Sequence, residues 1–416
     1  MELKKKYQTV FLLTCGLCIW NIVYLPSFFY VPFQKAFQMT NEQMGTLLSM
    51  YGVIALLGYF FGGMVADKFN PKKLMVLSNI ATGLLGLYMA TFPNYNALII
   101  VYMAFGVTSV MLYWSAFVKS IRMMGDDDEQ GKLFGAFESF YGIVSLVLSY
   151  IILLTFSNYI ANNGHFEYVI ISYSVISIII GFFILILYKP EKNASNMIST
   201  ESKFNFKALP QALKLPVTWF NSIIVFTLFV IISGSSYLNP FLNSVYMVPV
   251  TWATALGIAI KYGFRVFVSP IGGSLIDKYK KSSKVLIYTS VLIITAGIFL
   301  LILPKNPKYM VLGVVAVFIF CVVNNLPRGC MYVPVAEAKV PVEIVGTVVG
   351  IVSAIGYSSD VYIWKLFGSL LDKHGNQGYN YIFMILIGSA TIALVTGIIY
   401  DKYLLKLDNK SGKVIS

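Results

Sequence analysis

Charged residues, cysteines and histidines are scarce in this sequence. Only 12% of its 416 residues are charged, whereas soluble proteins carry about 25%, and 57% are hydrophobic. The two histidines, His165 and His374, are far apart, so we expect no metal site and no cofactor. The four cysteines lie in apolar runs, where a role in packing explains them better than redox chemistry, which needs an exposed and activated thiol. The composition therefore indicates a protein with many membrane spans.

Apolar runs long enough to cross a bilayer, which takes about 20 residues, occur along the whole chain. The first run is too long for the core of a signal peptide and lacks a cleavage site, so we expect a retained helix. The sequence predicts an all-α membrane protein with twelve transmembrane helices. The predicted spans are roughly 8–31, 43–66, 74–92, 96–118, 131–157, 167–188, 217–240, 252–276, 284–303, 309–332, 344–371 and 380–400.

The basic residues are distributed unevenly among the connections between these spans. If the N-terminus is inside, the predicted inner segments hold 23 lysines and arginines and the outer loops hold four. This excess predicts a multi-pass protein of the plasma (inner) membrane, in contact with the lipid bilayer, with both termini in the cytoplasm. The same distribution explains the net charge of +13 without nucleic acid as a partner.

A polar interval over 189–216 separates two apolar parts, 1–188 and 217–416, each with six predicted helices. The run GGMVADKFNPKK begins at Gly62, and GGSLIDKYKK begins at Gly272, 210 residues later. A second pair of short runs, GKLFG and GTVVG, recurs in the same order. These repeats predict two six-helix pseudo-repeat bundles joined by a cytoplasmic linker. Such an arrangement places a substrate site between the bundles, near the middle of the membrane.

The repeated run resembles the loop signature of the major facilitator superfamily, Gly-x-x-x-Asp-Arg/Lys-x-Gly-Arg/Lys-Arg/Lys, and the resemblance covers the whole chain. Asn70 replaces the second glycine, and asparagine tolerates left-handed backbone better than most residues. The resemblance implies a secondary transporter that works by alternating access, not an enzyme. It also implies a conformational latch in which Asp67 meets a positive partner, with Arg122 as the candidate; alternatively, the basic residues only set the topology. The predicted latch residues are Gly63, Asp67, Lys68, Lys72, Lys73, Arg122, Gly273, Asp277 and Lys278.

Once the 23 inner and four outer residues are counted, four of the 31 basic residues remain within the membrane, namely Lys261, Arg265, Arg328 and Lys365. Each would cost roughly 2.5–3.5 kcal/mol at the centre of a helix that faces lipid. Lys261 and Arg265 are four residues apart and therefore share one helix face. Because only two acids fall inside the spans, the four cations favour a small anionic substrate: a carboxylate, a sulfonate, or a sugar acid or phosphate. Arginine can bind such a group with two parallel hydrogen bonds.

The alternative to anion binding is a structural role for the same cations. Arg265 or Lys261 could form a salt bridge with Glu138. Arg328 and Lys365 lie near predicted helix ends, from which long side chains can reach water. Arg265 together with Lys365 is also similar to the arrangement in the oxalate:formate antiporter branch of the superfamily, which supports an organic anion.

The two acids inside the spans, Glu138 and Asp360, are candidates for proton coupling, or they neutralise neighbouring cations. We therefore expect the substrate to move with a coupling ion or in exchange for a counter-substrate. In the superfamily, helices 1, 4, 7 and 10 line the central path. Polar and aromatic residues of those helices are further substrate-binding candidates: Asn21, Tyr24, Tyr113, Trp114, Tyr237, Asn239 and Asn324.

Three other functions of the same fold compete with anion transport. These are a drug or cation exporter, a lipid flippase, and a ligand sensor that does not transport. The acidic run at 126–129 could be mistaken for a metal site, but it precedes a predicted helix, and acidic side chains there cap the helix and stabilise its dipole. We expect a monomer.

Overall fold

The computed structural model of the chain describes residues 3–124, 127–161, 164–190, 209–279, 281–338 and 340–410. Within these ranges the chain is helical and contains no strand. Asp126 of the acidic run and positions 191–208 of the predicted linker lie outside the described residues, as does the side chain of Asp277.

The described helices include segments that depart from α geometry. Two segments are π-helical, Val107–Trp114 and Ala259–Gly263, and five are 3-10 helical, Ser235–Tyr237, Pro307–Tyr309, Leu326–Met331, Ser358–Val361 and Gly375–Gln377. The α-helices are α1 (Leu3–Gly16), α2 (Ile19–Val23), α3 (Leu25–Phe28), α4 (Tyr30–Phe37), α5 (Asn41–Lys68), α6 (Pro71–Met89), α7 (Tyr95–Gly106), α8 (Ser115–Arg122), α9 (Asp127–Thr155), α10 (Ser157–Ala161), α11 (Glu167–Leu187), α12 (Leu209–Lys214), α13 (Pro216–Gly234), α14 (Leu238–Tyr246), α15 (Val250–Ile258), α16 (Phe264–Tyr279), α17 (Ser282–Ile302), α18 (Met310–Asn325), α19 (Val333–Glu337), α20 (Val342–Tyr357), α21 (Ile363–His374) and α22 (Gly378–Lys410).

Nine helical stretches of the described chain are long and apolar enough to cross a membrane. One of them, Val250–Ile276, holds Lys261 and Arg265. A further pair, Asn41–Tyr59 and Phe61–Lys68, is bent by 56° and raises the number to as many as ten. The chain is therefore an all-helical multi-pass protein, whereas the count of twelve spans stays a prediction.

The helix ends follow from local sequence. The hydroxyl of Thr40 accepts from the amide of Gln43, whose side chain in turn accepts from the amide of Thr40, which forms a capping box at the start of α5. The side chain of Asn70 accepts from the amide of Lys72 at 2.9 Å, and Pro71 occupies the first position of α6. Asn70 has φ −64° and ψ 121°. It is therefore an extended N-cap residue and does not take the left-handed conformation of a glycine.

The chain forms two compact units that do not follow the midpoint of the sequence. Unit 1 comprises Met1–Ile198, Val248–Val266 and Trp364–Asp372. Within it, α5 packs against α7 and α6 packs against α11. Small residues permit the second contact, because a Cβ at Gly86 would lie 2.2 Å from the hydroxyl oxygen of Ser174.

Unit 2 comprises Ser199–Met247, Phe267–Ile363 and Lys373–Ser416. Its core lies between α13, α17, α20 and α22 and contains the buried side chains of Ile224, Val225, Leu286, Val348 and Ala393. At one end of this core, the carboxylate of Glu337 accepts from the amide and the hydroxyl of Ser282, both at 2.6 Å, and so caps α17.

Candidate functional site

Many of the predicted site residues lie where the helices depart from regular α geometry. In unit 1, Tyr113 and Trp114 belong to the first π-helical segment, Lys261 belongs to the second, and Tyr24 separates α2 from α3. Such segments occur often at functional sites, because they redirect side chains and release backbone groups. No periodicity in the sequence predicts the two π-helical segments. In unit 2, the 3-10 segments hold Tyr237, Arg328 and Asp360.

Lys261 and Arg265 meet residues of the N-terminal helices within unit 1. The Nζ atom of Lys261 lies 3.7 Å from the centre of the Tyr24 ring. Arg265 donates through Nη2 to Oε2 of Glu138, and its Cζ lies 5.3 Å from the centre of the Tyr141 ring. We call these five residues the cation cluster. The salt bridge that competes with anion binding as an explanation for Arg265 is therefore present.

The ion pair of the cation cluster is not sealed. The side chain of Arg265 is 26% exposed and that of Glu138 is 47% exposed. An exposed pair of this kind contributes about 0–1 kcal/mol, because water competes with each partner. The geometry therefore leaves Arg265 able to exchange Glu138 for another anion, and substrate binding by Arg265 and Lys261 stays a prediction.

Aromatic rings extend the cation cluster towards α2 and the first π-helical segment. The Trp20 ring lies 5.5 Å from the Trp114 ring and 5.7 Å, edge-on, from the Tyr141 ring. The hydroxyl of Tyr262 donates to Oδ1 of Asn21 at 2.9 Å. Sequence analysis singled out Asn21 and Trp114 but missed Trp20 and Tyr262, because aromatic residues make up 15% of the chain and most positions carry no distinguishing signal.

Tyr113 has a structural partner at the break between α1 and α2. The amide of Leu17 donates to Thr14, three residues back, so the carbonyl of Leu13 lacks its α-helical donor. The hydroxyl of Tyr113 donates to that carbonyl at 2.6 Å. It fits there because Gly16 has no Cβ, which would lie 2.0 Å from the hydroxyl oxygen. A contact of Tyr113 with substrate is untested.

Unit 2 contains its own polar groups among the predicted site residues. The hydroxyl of Ser233 donates to Oδ1 of Asp360 at 2.7 Å, and Nε of Arg328 donates to Oδ1 of Asn325 at 2.8 Å. Both Asp360 and Arg328 are half-buried. Three further candidates in this unit, Tyr237, Asn239 and Asn324, are buried.

Lys365 lies apart from the cation cluster, at the start of α5. Its Nζ is 3.8 Å from Oε1 of Glu42, and both side chains are exposed. Nearby, the carboxylate of Asp372 accepts from the amide of Asn41 at 3.0 Å, from its side chain at 2.7 Å and from the amide of Glu42 at 2.7 Å. We call Asp372, Asn41 and Glu42 the α5 cap. Sequence analysis missed this contact, which joins residues more than 300 positions apart.

Two glycines allow α21 to approach α5 closely beside the α5 cap. A Cβ at Gly45 would lie 2.2 Å from the carbonyl oxygen of Trp364, and one at Gly368 would lie 2.2 Å from that of Asn41. Both obstacles are backbone atoms, which cannot move aside without shifting a helix. The contact therefore requires glycine at both positions.

No group of three or more histidine, cysteine or acidic residues in the described part of the chain could hold a metal ion. His165 instead lies 2.9 Å from the carboxylate of Glu167, two residues away on the surface.

Comparison with known protein families decides the class. The family model described as Major Facilitator Superfamily matches residues 12–362, which is most of the chain. The chain belongs to the Major Facilitator Superfamily. It is therefore a membrane transporter and not an enzyme.

Relatives of this superfamily member are known from bacterial inner membranes. The chain is 32% identical over 407 residues to the inner membrane protein YihN of Escherichia coli, an alignment that covers 97% of each chain. It is 29% identical over 380 residues to the inner membrane protein YqcE of the same organism, which covers 90% of this chain and 89% of that one. These relatives indicate a multi-pass protein of the plasma membrane.

Solved structures of superfamily transporters share the fold. A bacterial homologue of the human lysosomal transporter Spinster, inward-facing and unoccupied, aligns with a TM-score of 0.74 at 12% identity over 97% of this chain and 98% of that chain. A mutant of the nucleoside transporter NupG aligns with a TM-score of 0.73 at 16% identity over 95% and 99%. At these identities the similarity shows the fold alone.

The superfamily loop signature contains an ion pair that the sequence did not predict, while the contact of Asp67 with Arg122 stays a prediction. The carboxylate of Asp67 lies 3.5 Å from Nζ of Lys119, one turn before Arg122 on α8. The same ammonium donates to the carbonyl of Ala66 at 2.7 Å. A cation that contacts the last carbonyls of α5 stabilises the negative end of the helix dipole. The lysines of the signature, Lys68, Lys72, Lys73 and Lys278, are described by the structure, but no latch partner is identified for them.

In both copies of the signature, the first of the two adjacent glycines makes a close contact. A Cβ at Gly62 would lie 2.1 Å from the hydroxyl oxygen of Ser115, and one at Gly272 would lie 2.0 Å from the carbonyl oxygen of Leu326. At Gly63 and Gly273, a Cβ would meet no atom within 4 Å. The first glycine of each pair therefore permits close packing inside its own unit.

Proposed function

We propose that this transporter moves a small organic anion, namely a carboxylate, a sulfonate, or a sugar acid or phosphate, across the plasma membrane by alternating access. One observation supports the proposal most strongly. Two cations of the spanning helix Val250–Ile276 meet aromatic rings and a carboxylate from the N-terminal helices, and the paired side chains of Arg265 and Glu138 are 26% and 47% exposed.

The energetic cost of the two cations supports a ligand-binding role. Together, Lys261 and Arg265 would cost roughly 5–7 kcal/mol if they faced lipid. Their observed neighbours offset part of this cost, since a ring face and a carboxylate both attract cations. The three ionisable side chains Lys261, Arg265 and Glu138 carry a formal net charge of +1. An anion that reaches them gains the planar fork of Arg265 and the point charge of Lys261.

Glu138 gives the proposal a route to coupling. When Glu138 is ionised, it competes with the substrate anion for the Arg265 guanidinium. When a proton binds its carboxylate, the acid can no longer hold that guanidinium as a charge partner, and Arg265 becomes available to substrate. Asp360, bound by Ser233 in unit 2, is the second candidate for proton coupling. The coupling ion is thus proposed to be H⁺, with exchange for a second anion as the alternative.

The remaining parts of the mechanism follow the superfamily pattern. We propose that two six-helix halves, 1–188 and 217–416, rock about the site and are joined by a cytoplasmic linker at 189–216, with both termini in the cytoplasm. Asp67 and Lys119 would then form part of the inner latch, together with Arg122 and the second copy of the signature.

Ligand-induced stabilisation of the purified protein tests the proposal. Carboxylates, sulfonates, sugar acids and sugar phosphates are added one at a time, and the melting temperature is recorded for the wild type, Arg265→Gln and Glu138→Gln. We expect at least one anion to stabilise the wild type and Glu138→Gln but not Arg265→Gln, because only the last loses the anion fork.

The controls separate anion binding from its rivals. Lys308→Gln removes an exposed cation at the start of the candidate span Pro307–Glu337, which is not part of the cation cluster, and should respond to anions as the wild type does. Stabilisation by lipophilic cations that survives Arg265→Gln would instead support an exporter. Proteoliposome counterflow of the stabilising anion then distinguishes a transporter from a sensor, and equal anion binding by well-folded Arg265→Gln would refute the proposal.

A further inference from the structure

Two adjacent residues of α2, Trp20 and Asn21, have hydrogen-bond donors that the described chain does not use. The indole Nε1 of Trp20 and the carboxamide Nδ2 of Asn21 are buried, and neither has a hydrogen-bond partner among the described residues. A buried donor without an acceptor is unfavourable, so native proteins contain few of them. Two such donors on consecutive residues require a specific explanation.

Both residues are in contact with the cation cluster or its immediate neighbours. The Trp20 ring stands edge-on to the Tyr141 ring, and the two ring centres are 5.7 Å apart. The Cζ atom of Arg265 lies 5.3 Å from the centre of the same tyrosine ring. Asn21 accepts a hydrogen bond from Tyr262, which follows Lys261 in the second π-helical segment. The Tyr141 ring therefore connects Trp20 to Arg265, and Tyr262 connects Asn21 to the segment that holds Lys261.

Local backbone geometry sets the direction of the Asn21 donors. After the break that follows α1, the amides of Trp20 and Asn21 donate to Leu17 and Cys18, three residues back. Asn21 is fully buried, and its Oδ1 faces the Tyr262 hydroxyl. Because the oxygen and the nitrogen of a carboxamide diverge from the same carbon, Nδ2 points in a different direction from the Oδ1 that accepts from Tyr262.

We infer that Trp20 and Asn21 determine specificity by donating hydrogen bonds to hydroxyl oxygens of the transported anion. The preferred substrate is then a polyhydroxylated anion, a sugar acid or sugar phosphate, and not a plain carboxylate. The inference rests on the proposed function, since the cation cluster supplies the contact with the anionic group. Sites built to bond substrate hydroxyls discriminate strongly against analogues that lack them, because their polar groups are otherwise left unsatisfied.

Three probes of equal chain length separate the two contributions. D-gluconate has a carboxylate and hydroxyl groups, hexanoate has only the carboxylate, and D-sorbitol has only hydroxyl groups. We measure their dissociation constants for the wild type and for Trp20→Phe, which keeps an aromatic ring but removes the N–H. Glucuronate and glucose 6-phosphate extend the hydroxylated set.

We expect a hydroxylated anion to bind the wild type more tightly than hexanoate, and Trp20→Phe to weaken that anion about tenfold while hexanoate binding stays unchanged. A purely structural role of Trp20 would not change the ratio of the dissociation constants of hexanoate and the hydroxylated anion. Trp252→Phe, the same substitution at an exposed residue of α15, should leave the ratio unaltered.

A second variant protects the test against misfolding of Trp20→Phe. Asn21→Leu combined with Tyr262→Phe removes both partners of one buried hydrogen bond and leaves neither group unsatisfied. This double variant should also lose the preference for gluconate over hexanoate.

The outcomes distinguish failure of this inference from failure of the proposed function. If hexanoate binds as tightly as gluconate, glucuronate and glucose 6-phosphate, or if neither variant changes the ratio, the inference is overturned while anion transport stands. If sorbitol binds and no anion does, the proposed function fails, and the inference fails with it.

Discussion

Two segments from the later part of the chain, Val248–Val266 and Trp364–Asp372, pack within unit 1 against the N-terminal helices, but they make opposite kinds of contact. The first brings Lys261 and Arg265 to ring faces and to an exposed carboxylate. The second brings Asp372 to the beginning of α5, where hydrogen bonds satisfy the available backbone donors.

The α5 cap is a closed network. An α-helix begins with amides that have no intrahelical acceptor. At α5, the carboxylate of Asp372 accepts from the amides of Asn41 and Glu42, and Thr40 accepts from that of Gln43. The negative carboxylate also stabilises the positive end of the helix dipole. Every partner in this contact is a residue of the chain, which is typical of an interaction that holds structure.

The cation cluster and its neighbours differ from the α5 cap, because some of their hydrogen-bond donors have no acceptor within the described chain. We call this arrangement the open set. Arg265 and Glu138 are accessible to water, and the adjacent donors of Trp20 and Asn21 are unused within the described chain. The comparison shows that charge content alone does not distinguish a scaffold from a site, since both segments contain charged residues. What distinguishes them is whether the hydrogen-bonding capacity is satisfied internally.

The largest expected effect comes from closing the gap between α21 and α5. Gly368→Ala would place a Cβ 2.2 Å from the carbonyl oxygen of Asn41, so one helix must shift. We expect a loss of stability of about 3 kcal/mol, the upper end for an overpacked site, seen as a lower melting temperature. Gly388→Ala, where a Cβ would meet nothing within 4 Å, is the matched control and should not destabilise the protein. Equal melting of both variants would show that this helix contact does not contribute to stability.

A smaller effect is expected from Asp372→Ala. This change removes three hydrogen bonds and a favourable dipole interaction, worth about 1–2 kcal/mol together at a partly exposed helix end. Hydrogen–deuterium exchange should accelerate at the amides of Asn41 and Glu42. The amide of Gln43, bound to Thr40, serves as an internal reference and should exchange as before. Unchanged exchange at all three amides would contradict the capping role.

A double-mutant cycle on Arg265→Gln and Glu138→Gln should give a weaker coupling. Because the side chains of Arg265 and Glu138 are 26% and 47% exposed, we expect a coupling energy in thermal unfolding below about 1 kcal/mol. A buried structural pair would instead cost about 3–5 kcal/mol when either partner is removed alone. A coupling of that size would show that the Arg265–Glu138 pair is structural. The contrast between the two segments would then be lost.

The smallest effect is expected at Lys365. Its contact with Glu42 is 3.8 Å long and exposed, so Lys365→Gln should change stability by about 0.5 kcal/mol or less. Anion binding should also change little, because Lys365 contacts α5 and not the cation cluster. A large loss of anion binding in a variant of normal stability would extend the site to the second segment and restore Lys365 to the role predicted from sequence.

Sequence patterns predicted the class of this protein because membrane insertion depends on composition and length. The scarcity of charge, the apolar runs and the repeated signature at Gly62 and Gly272 are sufficient for an all-helical transporter of this superfamily. The four-residue spacing of Lys261 and Arg265 also predicts that both cations share one helix face, since helical periodicity is a local property. These predictions need no knowledge of which helices meet.

Partners across long sequence separations could not be predicted in the same way. Asp67 lies beside Lys119, a contact that the sequence did not predict, and in each signature pair the first glycine makes a close contact. Which residue of a helix faces a neighbouring helix depends on how the helices pack.

The sequence by itself therefore determined that this chain crosses the membrane repeatedly, belongs to a transporter family and holds two cations on one face of a spanning helix. Only the tertiary structure decided that Arg265 meets Glu138, that Trp20 and Asn21 adjoin these charges, and that Asp372 caps a helix 331 residues away from it along the chain. The physical reason is that local patterns record the preference of each segment for lipid or water. The choice of partner depends on helix breaks, π-helical turns and close glycine contacts, which take effect only when the whole unit packs.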